Sequence, residues 1–262
     1  MRVTALVENT SVCEDCVAEH GLSLLVEASG MTVLFDSGQS GAVVKNAKAL
    51  GVDLGRVDAA VLSHGHYDHA GGFASFMQVN DHAPIYAHRG CERAHWHGEK
   101  YIGISDELKY SPRLRLVDGR LDLGCGFSLV SFADEALRHA IDSDGLEETG
   151  PNGRTLEQFT HEQCLIVDEN DVRVLISGCS HRGIANIMEW TRDMGITHVI
   201  GGFHFMRTAP DDPRIASTAR ELLTHPVAYY TCHCTGLEQY ARLKELMGER
   251  LTYLAAGETI EL

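Results

Sequence analysis

The sequence has few basic residues for its acidity: 22 lysines and arginines stand against 37 aspartates and glutamates, and the net charge is −15. A protein that binds nucleic acid or an anionic membrane over a wide area needs a basic face, so this balance argues against both partners. No apolar run approaches the roughly 20 residues that cross a bilayer. The opening segment MRVTALVE is too short and too interrupted for a secretory signal, so we expect a cytoplasmic protein.

The chain also lacks the pattern of a disulfide-rich protein. Its eight cysteines are scattered, and a chain of 262 residues buries a full core without disulfides. Cys13 and Cys16 form a single C-x-x-C, which is either a redox or metal-binding pair or, as we favour, two reduced thiols in a loop. No repeat, low-complexity tract or linker divides the chain, so a single domain over residues 1–262 is predicted.

The distribution of apolar residues predicts an α/β fold. Short apolar strands dominate the first third, and strands alternate with helices in the last third, where helices are expected at 183–194, 213–223 and 237–247. Strands followed by strand–helix alternation indicate a layered α/β sandwich. Two segments, 90–112 and 133–159, show neither pattern and are predicted to be inserted loops.

Residues 64–69 carry the strongest chemical signal, because they read H-G-H-Y-D-H directly after an apolar strand. Imidazole nitrogens and carboxylate oxygens are ligands that Zn²⁺, Fe²⁺ and Mn²⁺ prefer. If extended backbone continues into the motif, His64 and His66 point to the same side, because side chains alternate along a strand. Asp68 and His69 then come round from the turn to face a second position. The motif therefore predicts two adjacent metal ions.

Later metal-binding residue types also lie at predicted strand ends. They are His161 before one strand, Cys179 and His181 after the next, and His204 and His233 after the two that follow. Ligands collect at the carboxyl ends of strands in α/β sheets, so these side chains are expected to join the motif. Ser180 and Arg182 lie where a helix begins, and this segment is either a phosphate site or an ordinary helix N-terminus.

These motifs resemble those of the metallo-β-lactamase superfamily, whose fold is a four-layer αββα sandwich. Asp36 in the segment FDSG matches the first motif of that superfamily, and residues 64–69 match the second. More narrowly, the chain resembles the group labelled 7,8-dihydropterin-6-yl-methyl-4-(β-D-ribofuranosyl)aminobenzene 5′-phosphate synthase. The segments that carry this resemblance are VENT (7–10), EHGLS (19–23), FDSGQSG (35–41), GCSHRGI (178–184), GGFH (201–204) and HCTG (233–236).

The resemblance implies a set of ligands for both ions. His64, His66 and His161 would hold the first ion, and Asp68, His69 and His233 would hold the second. Superfamily members usually place an aspartate between the ions, and Cys179 stands at that position here. A thiolate ligates zinc or iron, so zinc is favoured, with iron or manganese as alternatives. Asp36 would orient a ligating histidine through its ring N–H.

Further residues are expected to act on the substrate. Asp68, His181 and His204 are predicted to be catalytic, and Ser180, Arg182 and Trp96 are predicted to contact substrate. His204 is alternatively the last metal ligand in place of His233, and both His181 and His204 are alternatively packed side chains without a role in the reaction. Trp96 lies in the aromatic-rich segment 90–112 and would stack on a flat ring.

Three functions stay open at this point. The narrow resemblance implies a transferase that displaces diphosphate from a small, pterin-like phosphorylated substrate. The second candidate is a metal-dependent hydrolase of another small ester, lactone or phosphodiester. The third is a non-catalytic metal-binding or redox-partner protein, which only Cys13 and Cys16 suggest. The complete ligand set favours an enzyme with a small anionic substrate, and the sequence leaves its oligomeric state open.

Overall fold

Eighteen strands and seven α-helices follow one another along the chain, and the computed structural model describes all of residues 1–262. The strands are β1 (Arg2–Val7), β2 (Ser23–Ala28), β3 (Met31–Phe35), β4 (Ala59–Leu62), β5 (Ile85–His88), β6 (His95–His97), β7 (Lys100–Tyr101), β8 (Leu114–Val117), β9 (Arg120–Gly124), β10 (Phe127–Ser131), β11 (Leu146–Gly150), β12 (Gly153–Leu156), β13 (Gln163–Glu169), β14 (Val172–Ile176), β15 (His198–Gly201), β16 (Ala228–Thr231), β17 (Leu251–Tyr253) and β18 (Thr259–Glu261). The helices are α1 (Ala42–Ala49), α2 (Tyr67–Ala70), α3 (Phe73–Val79), α4 (Asp106–Lys109), α5 (Ile184–Trp190), α6 (Pro213–Leu222) and α7 (Leu237–Met247). None of these helices is long and apolar enough to cross a bilayer.

Two seven-stranded sheets form the body of the molecule. The first has the order β18-β1-β2-β3-β4-β5-β8 and is parallel from β3 to β8. The second has the order β17-β16-β15-β14-β13-β10-β9 and is parallel from β14 to β17. Since parallel neighbours end at the same edge of a sheet, the residues after β14, β15 and β16 are brought together.

Three apolar layers separate four layers of secondary structure. Strand β4 shows how this arises, because Ala59 and Val61 face the other sheet while Ala60 and Leu62 face the helices. Helices α1 and α3 cover the first sheet, and α5, α6 and α7 cover the second; their inward side chains include Val43, Phe73, Phe76, Ile187, Ile215 and Leu243. Burying each such side chain contributes about 1.5–3 kcal/mol. The predicted four-layer αββα sandwich is confirmed.

The two segments predicted to be loops contain a third sheet instead. Residues 90–112 contribute β6, β7 and α4, and residues 133–159 contribute β11 and β12, in the order β12-β11-β6-β7. These strands have only 2 to 5 residues and many exposed side chains, so no apolar alternation marks them in the sequence. The small sheet is held over the motif, where the N–H of Tyr67 donates to the carbonyl of Ile102 at 2.8 Å.

Cys13 and Cys16 form a disulfide in the connection between β1 and β2, which corrects the expectation of two reduced thiols. Side-chain geometry decides this pairing, and a C-x-x-C in the sequence alone does not reveal it. The remaining six cysteines are free, and all of them except Cys125 are buried. The bridge joins positions only three apart, so it restrains a local loop and ties no distant elements together.

Candidate metal centre

The H-x-H-x-D-H motif lies directly after β4, and its turn is tightly packed against a neighbouring loop. A side chain at Gly65 would place its Cβ 2.5 Å from the carbonyl oxygen of Cys91, so only glycine fits there. The second sheet supplies the opposite side of the site, since Cys179, His204 and His233 follow β14, β15 and β16. The two sheets thus bring their strand ends to one place.

Imidazole, thiol and carboxylate side chains form overlapping groups at this place. The three groups are His64 with Cys179 and His181; His69 with Cys179 and His233; and His20 with Asp68 and His233, each with ligand atoms within 4.8 Å of one another. The Nε2 atom of His69 lies 3.1 Å from the Sγ atom of Cys179 and 3.2 Å from the Nε2 atom of His233. Cys179 belongs to two groups and therefore lies between the two predicted metal positions.

Several buried nitrogens of this cluster have no hydrogen-bond partner. They are the Nε2 atom of His64 and both ring nitrogens of His181, whose side chains are almost fully buried. A buried polar atom without a partner costs about 1–3 kcal/mol, and native structures contain few of them. Nitrogen and sulfur atoms that face one another in this way are the donor set of a zinc site. The residues present therefore fit a metal ion.

Asp36 lies behind two of these histidines and fixes their protonation. The Nδ1 atom of His69 donates to its carboxylate at 2.7 Å. The hydroxyl of Ser63 also donates to Asp36, so the Ser63 oxygen accepts the Nδ1 proton of His64 at 2.8 Å. Since the Nδ1 atom of each ring carries the proton, the Nε2 atoms of His64 and His69 keep the lone pairs that a metal needs.

His233 and His66 have corresponding partners. The Nδ1 atom of His233 donates to the side-chain oxygen of Asn9 at 2.8 Å, which leaves its Nε2 atom free. The Nε2 atom of His66 lies 3.0 Å from the buried carboxylate of Glu157. Burial opposes ionisation, but hydrogen bonds from the surrounding histidines hold the pKa of Glu157 well below its ordinary value. Each of the two histidines therefore has one nitrogen directed away from its outer partner.

The structure places His161 apart from His64. Its Nδ1 atom accepts the backbone N–H of Gly65 at 3.0 Å, so the proton of the neutral ring lies on Nε2, which is 3.5 Å from Glu157. The ring centroids of His64 and His161 are 6.3 Å apart, whereas those of His64 and His181 are 4.8 Å apart. The structure thus brings His181, and not His161, beside His64.

Burial and neighbouring carboxylates set the charge of the cluster. Burial opposes the charge of His69, but the carboxylates of Asp36 and Asp68 raise its pKa. Elsewhere burial dominates. It lowers the pKa of His64 and His181 well below the ordinary value, so both rings are neutral at pH 7. Burial also lowers the pKa of His204 to about 4. It raises the pKa of the Cys179 thiol well above its ordinary value, so that thiol is protonated in the absence of metal. A metal ion at Cys179 would therefore release a proton when it binds.

His161 gives a pH-dependent prediction for the metal-free protein. Burial lowers its pKa to about 3 from an ordinary value of 6.5. A depressed pKa stabilises the fold above pH 6.5, and this stabilisation is lost as the pH falls towards 3. We expect His161→Asn to flatten the acid loss of stability by up to about 1.4 kcal/mol per pH unit in urea unfolding. The exposed His82→Asn variant should follow the wild type, and equal slopes for His161→Asn would contradict the prediction.

A cavity opens onto the cluster from the solvent. His66, Asp68, Cys179 and His181 lie at its base, and His204, Tyr67, Lys100 and Arg207 are among its other lining residues. The exposed ammonium of Lys100 lies 4.2 Å from the ring centre of Tyr67 and 3.1 Å from its hydroxyl. Lys100 and Arg207 bring two positive charges to this opening, which Asp144 also lines, and such positive charges attract an anionic ligand. His204 lies on the wall, with its ring centroid 4.1 Å from that of His181.

Trp96 does not line this cavity. It lies on β6 in the small sheet, where the guanidinium of Arg154 is 3.7 Å from its ring centre. Its indole N–H donates to the hydroxyl of Thr149 at 3.0 Å. The face and the N–H of the Trp96 ring therefore contact Arg154 and Thr149 of the small sheet. The aromatic residue that lines the cavity is Tyr67.

The backbone N–H groups near Ser180 and Arg182, just before helix α5, already bind a carboxylate of the protein. The backbone N–H groups of His181 and Arg182 donate to the buried carboxylate of Glu162 at 2.8 and 3.0 Å. The Arg182 guanidinium donates to the backbone carbonyls of residues 135 and 158. The Ser180 hydroxyl donates to the side-chain hydroxyl of Ser177. Apart from the Nε atom of Arg182, which is buried without a partner, these groups are satisfied within the chain, and neither Ser180 nor Arg182 lines the cavity.

Sequence reasoning did not identify Asn9, His20 or Glu157 as parts of the site. Asn9 and His20 lie in the segments VENT and EHGLS, which were noted for resemblance alone; His20 lies 3.1 Å from Asp68. The resemblance therefore drew attention to the segments that contain Asn9 and His20, but it did not indicate what these two side chains contact. Glu157 has no such signal, because it is a single glutamate in a segment without a recognisable pattern.

Comparisons with known proteins bear on the family. The profile described as metallo-β-lactamase superfamily matches residues 17–208. The 7,8-dihydropterin-6-methyl-4-(β-D-ribofuranosyl)-aminobenzene-5′-phosphate synthase of Methanocaldococcus jannaschii is 29% identical over 270 residues, covering 93% of this chain and 90% of that protein. The crystal structure of Tm1679, described as a metal-dependent hydrolase of the β-lactamase superfamily, matches with a TM-score of 0.87 and 28% identity over 100% of this chain and 99% of that one.

A more distant structure supports the fold alone. Zinc-bound PqqB from Methylobacterium extorquens has a TM-score of 0.63 and 12% identity over the full length of both chains. The resemblance seen in the sequence is thus confirmed by the profile, by the related synthase and by the structures. This chain belongs to the metallo-β-lactamase superfamily.

Proposed function

We propose that the protein is an enzyme that holds two divalent metal ions and acts on a small phosphorylated substrate, in the manner of the pterin-related synthase that it resembles. The observation that carries this proposal is the pair of ligand groups that share Cys179 at the base of one cavity. The first ion would be held by His64, His66, His181 and Cys179, and the second by Asp68, His69, His233 and Cys179. Zinc is the favoured ion for these nitrogen and sulfur donors, with iron or manganese as alternatives.

Each part of the cavity has a role in this proposal. A bound metal pair would supply Lewis acidity to a phosphoryl or diphosphate oxygen. Lys100 and Arg207 at the rim would bind the anionic part of the substrate, and Tyr67 would contact its ring. His204 is neutral at pH 7, because burial lowers its pKa to about 4, so its ring would orient an attacking amine or water by accepting a hydrogen bond.

Hydrolysis is the second candidate function. Tm1679 is described as a metal-dependent hydrolase and matches this chain at 28% identity, close to the 29% of the synthase. Water would then take the place of the aminobenzene nucleophile at the same cavity, and the substrate would be a small ester, lactone or phosphodiester. Cys13 and Cys16, which suggested a redox partner, do not line this cavity.

The experiment is a substrate panel with the metal-reconstituted protein. A reduced pterin-methyl diphosphate is supplied with and without an aminobenzene ribosyl phosphate, beside a phosphodiester and a lactone. Diphosphate release only when both partners are present would support the transferase. Release without the aminobenzene, or turnover of the phosphodiester or lactone, would establish the hydrolase. No turnover of any compound by fully metallated protein would contradict both functions.

Lys100 gives a prediction about substrate affinity. Lys100→Ala is expected to raise the KM for a phosphorylated substrate about tenfold, since a hydrogen bond to a charged group contributes about 1.5 kcal/mol. The turnover number should change little, because Lys100 lies at the rim and not at the base. Lys109→Ala is the matched control, as Lys109 lies over the Tyr110 ring and does not line the cavity. An unchanged KM in Lys100→Ala at low salt would show that the rim does not bind the substrate.

A further inference from the structure

We propose that Glu157 is a positioning residue that holds His66 with a proton on Nε2, so that the Nδ1 atom of His66 faces the first metal position. The proposal rests on the metal centre of the proposed function, and it is independent of the substrate and of the reaction. Nothing in the H-x-H-x-D-H motif indicates which nitrogen of its second histidine is the ligand. The structure answers this through the contacts behind the ring.

The contact between Glu157 and His66 is short and fully enclosed. The two carboxylate oxygens lie 3.0 and 3.2 Å from the Nε2 atom of His66. Glu157 is 1% exposed and His66 is 4% exposed, so water does not compete strongly for this hydrogen bond. An ionised carboxylate only accepts hydrogen bonds, so the proton must lie on Nε2 and the lone pair on Nδ1.

A second histidine holds Glu157 in place. The Nδ1 atom of His95 donates to one carboxylate oxygen at 2.6 Å, whereas the Nε2 atom of His161 lies 3.5 Å from the other oxygen and makes no hydrogen bond. The protons that His66 and His95 direct towards Glu157 fix the plane of the carboxylate and compensate its buried charge. Glu157 follows β12 and His95 begins β6, so the small sheet that covers the cavity also supports His66.

The same four side chains are close enough to suggest a third metal ion, since their ligand atoms lie within 4.8 Å of one another. The N–H of Gly65 argues against it, because this group donates to the Nδ1 atom of His161 at 3.0 Å. The neutral ring of His161 then carries its proton on Nε2, the atom that faces Glu157, and offers no lone pair there. The contacts of His66 and His95 with Glu157 are hydrogen bonds, so we assign this group to the support of His66 and not to a third metal ion.

Several of the proposed histidine ligands are held from behind by a hydrogen bond to the ring nitrogen that does not face the metal, and Glu157 provides this hydrogen bond for His66. Asp36 supports His69 directly and His64 through Ser63, and Asn9 supports His233. His66 is the histidine whose support comes from the inserted small sheet. Its orientation therefore depends on a part of the chain that lies outside the two large sheets.

Nitrogen NMR of the zinc-loaded wild-type protein tests the tautomer directly. With ¹⁵N-labelled histidine, the His66 signals are assigned by their absence in His66→Gln. We expect a protonated Nε2 and a zinc-shifted Nδ1 for His66. The opposite pattern, with zinc at Nε2, would overturn the proposal without any mutation of Glu157. Protein that binds no zinc at all would refute this proposal together with the proposed metal centre, and the metal content shows that outcome first.

Metal affinity of Glu157→Gln provides the second test. Glutamine keeps one acceptor oxygen but loses the charge and the second acceptor that His66 and His95 share. Mutation of a residue behind a ligand typically weakens metal binding 10- to 100-fold, so one of the two sites should weaken by about that factor while the other keeps its affinity. Glu148→Gln is the control, because Glu148 lies on the same small sheet, pairs with Arg93 and belongs to none of the groups that could hold a metal ion. Unchanged affinity at both sites in folded Glu157→Gln would overturn the proposal. Neither measurement uses a substrate. The role of Glu157 is therefore tested independently of whether the protein turns over a pterin substrate.

Discussion

His66→Ala is expected to lose about one equivalent of metal per chain and more than about 100-fold in turnover. The magnitude follows because loss of the hydrogen-bond partner behind a ligand alone costs 10- to 100-fold, and this change removes the ligand itself. The substitution also leaves the buried carboxylate of Glu157 without one of its donors, so a lower melting temperature is expected. Metal analysis by mass spectrometry and a thermal melt of the same sample measure both effects.

The control for this change is His82→Ala. The side chain of His82 is 55% exposed and contacts only Asp81, so this variant should keep the wild-type metal content and turnover. If His66→Ala retained two equivalents of metal and full turnover, His66 would not be a ligand. The first metal position would then lie with His64, Cys179 and His181 alone.

Cys179→Ala is expected to weaken both metal sites at once, because Cys179 belongs to both ligand groups. In cobalt-loaded wild-type protein, a thiolate ligand gives an intense sulfur-to-metal charge-transfer band in the near ultraviolet. This band should disappear in Cys179→Ala and persist in Cys164→Ala, whose cysteine is equally buried but lies on β13 away from the groups. Equilibrium dialysis of the same variants measures the affinity of each site.

A persistent band in Cys179→Ala would contradict this assignment. It would indicate Cys234, which also lines the cavity and whose thiol donates to the carbonyl of Cys179 at 3.5 Å. A variant that loses metal from one site only would show that the thiolate does not lie between the ions. Both outcomes are distinguishable from unfolding by the circular dichroism of the apo protein.

The sequence indicates the layers and the centre of the site because both depend on local patterns. Alternation in β4 separates Val61 from Leu62 onto different faces, and this pattern is visible without the structure. The H-x-H-x-D-H motif brings its candidate ligands together by the geometry of a single turn. Asp36 was also expected behind a histidine, and the structure shows its hydrogen bond to His69.

What the sequence does not indicate depends on contacts between distant segments. The resemblance implied His161 as a ligand, which stays a prediction; the structure adds that the backbone N–H of Gly65 donates to its Nδ1 atom. His181 lies nearer to His64, and only the pairing of β14 with its neighbours brings it there. Glu157 reaches His66 through the small sheet, whose short strands lack a periodic pattern. Trp96 showed an aromatic signal, yet its partner Arg154 lies on another strand of that sheet.

The two large sheets contribute opposite sides of the centre, and this has a consequence for the order of assembly. His69 and His233 lie 164 positions apart in the chain, although their Nε2 atoms are 3.2 Å apart. Closing a loop of that length costs roughly 4–5 kcal/mol in chain entropy, so the contact forms only when the packing of both sheets offsets this cost. On a translating ribosome, the complete ligand set therefore exists only after His233 has left the exit tunnel.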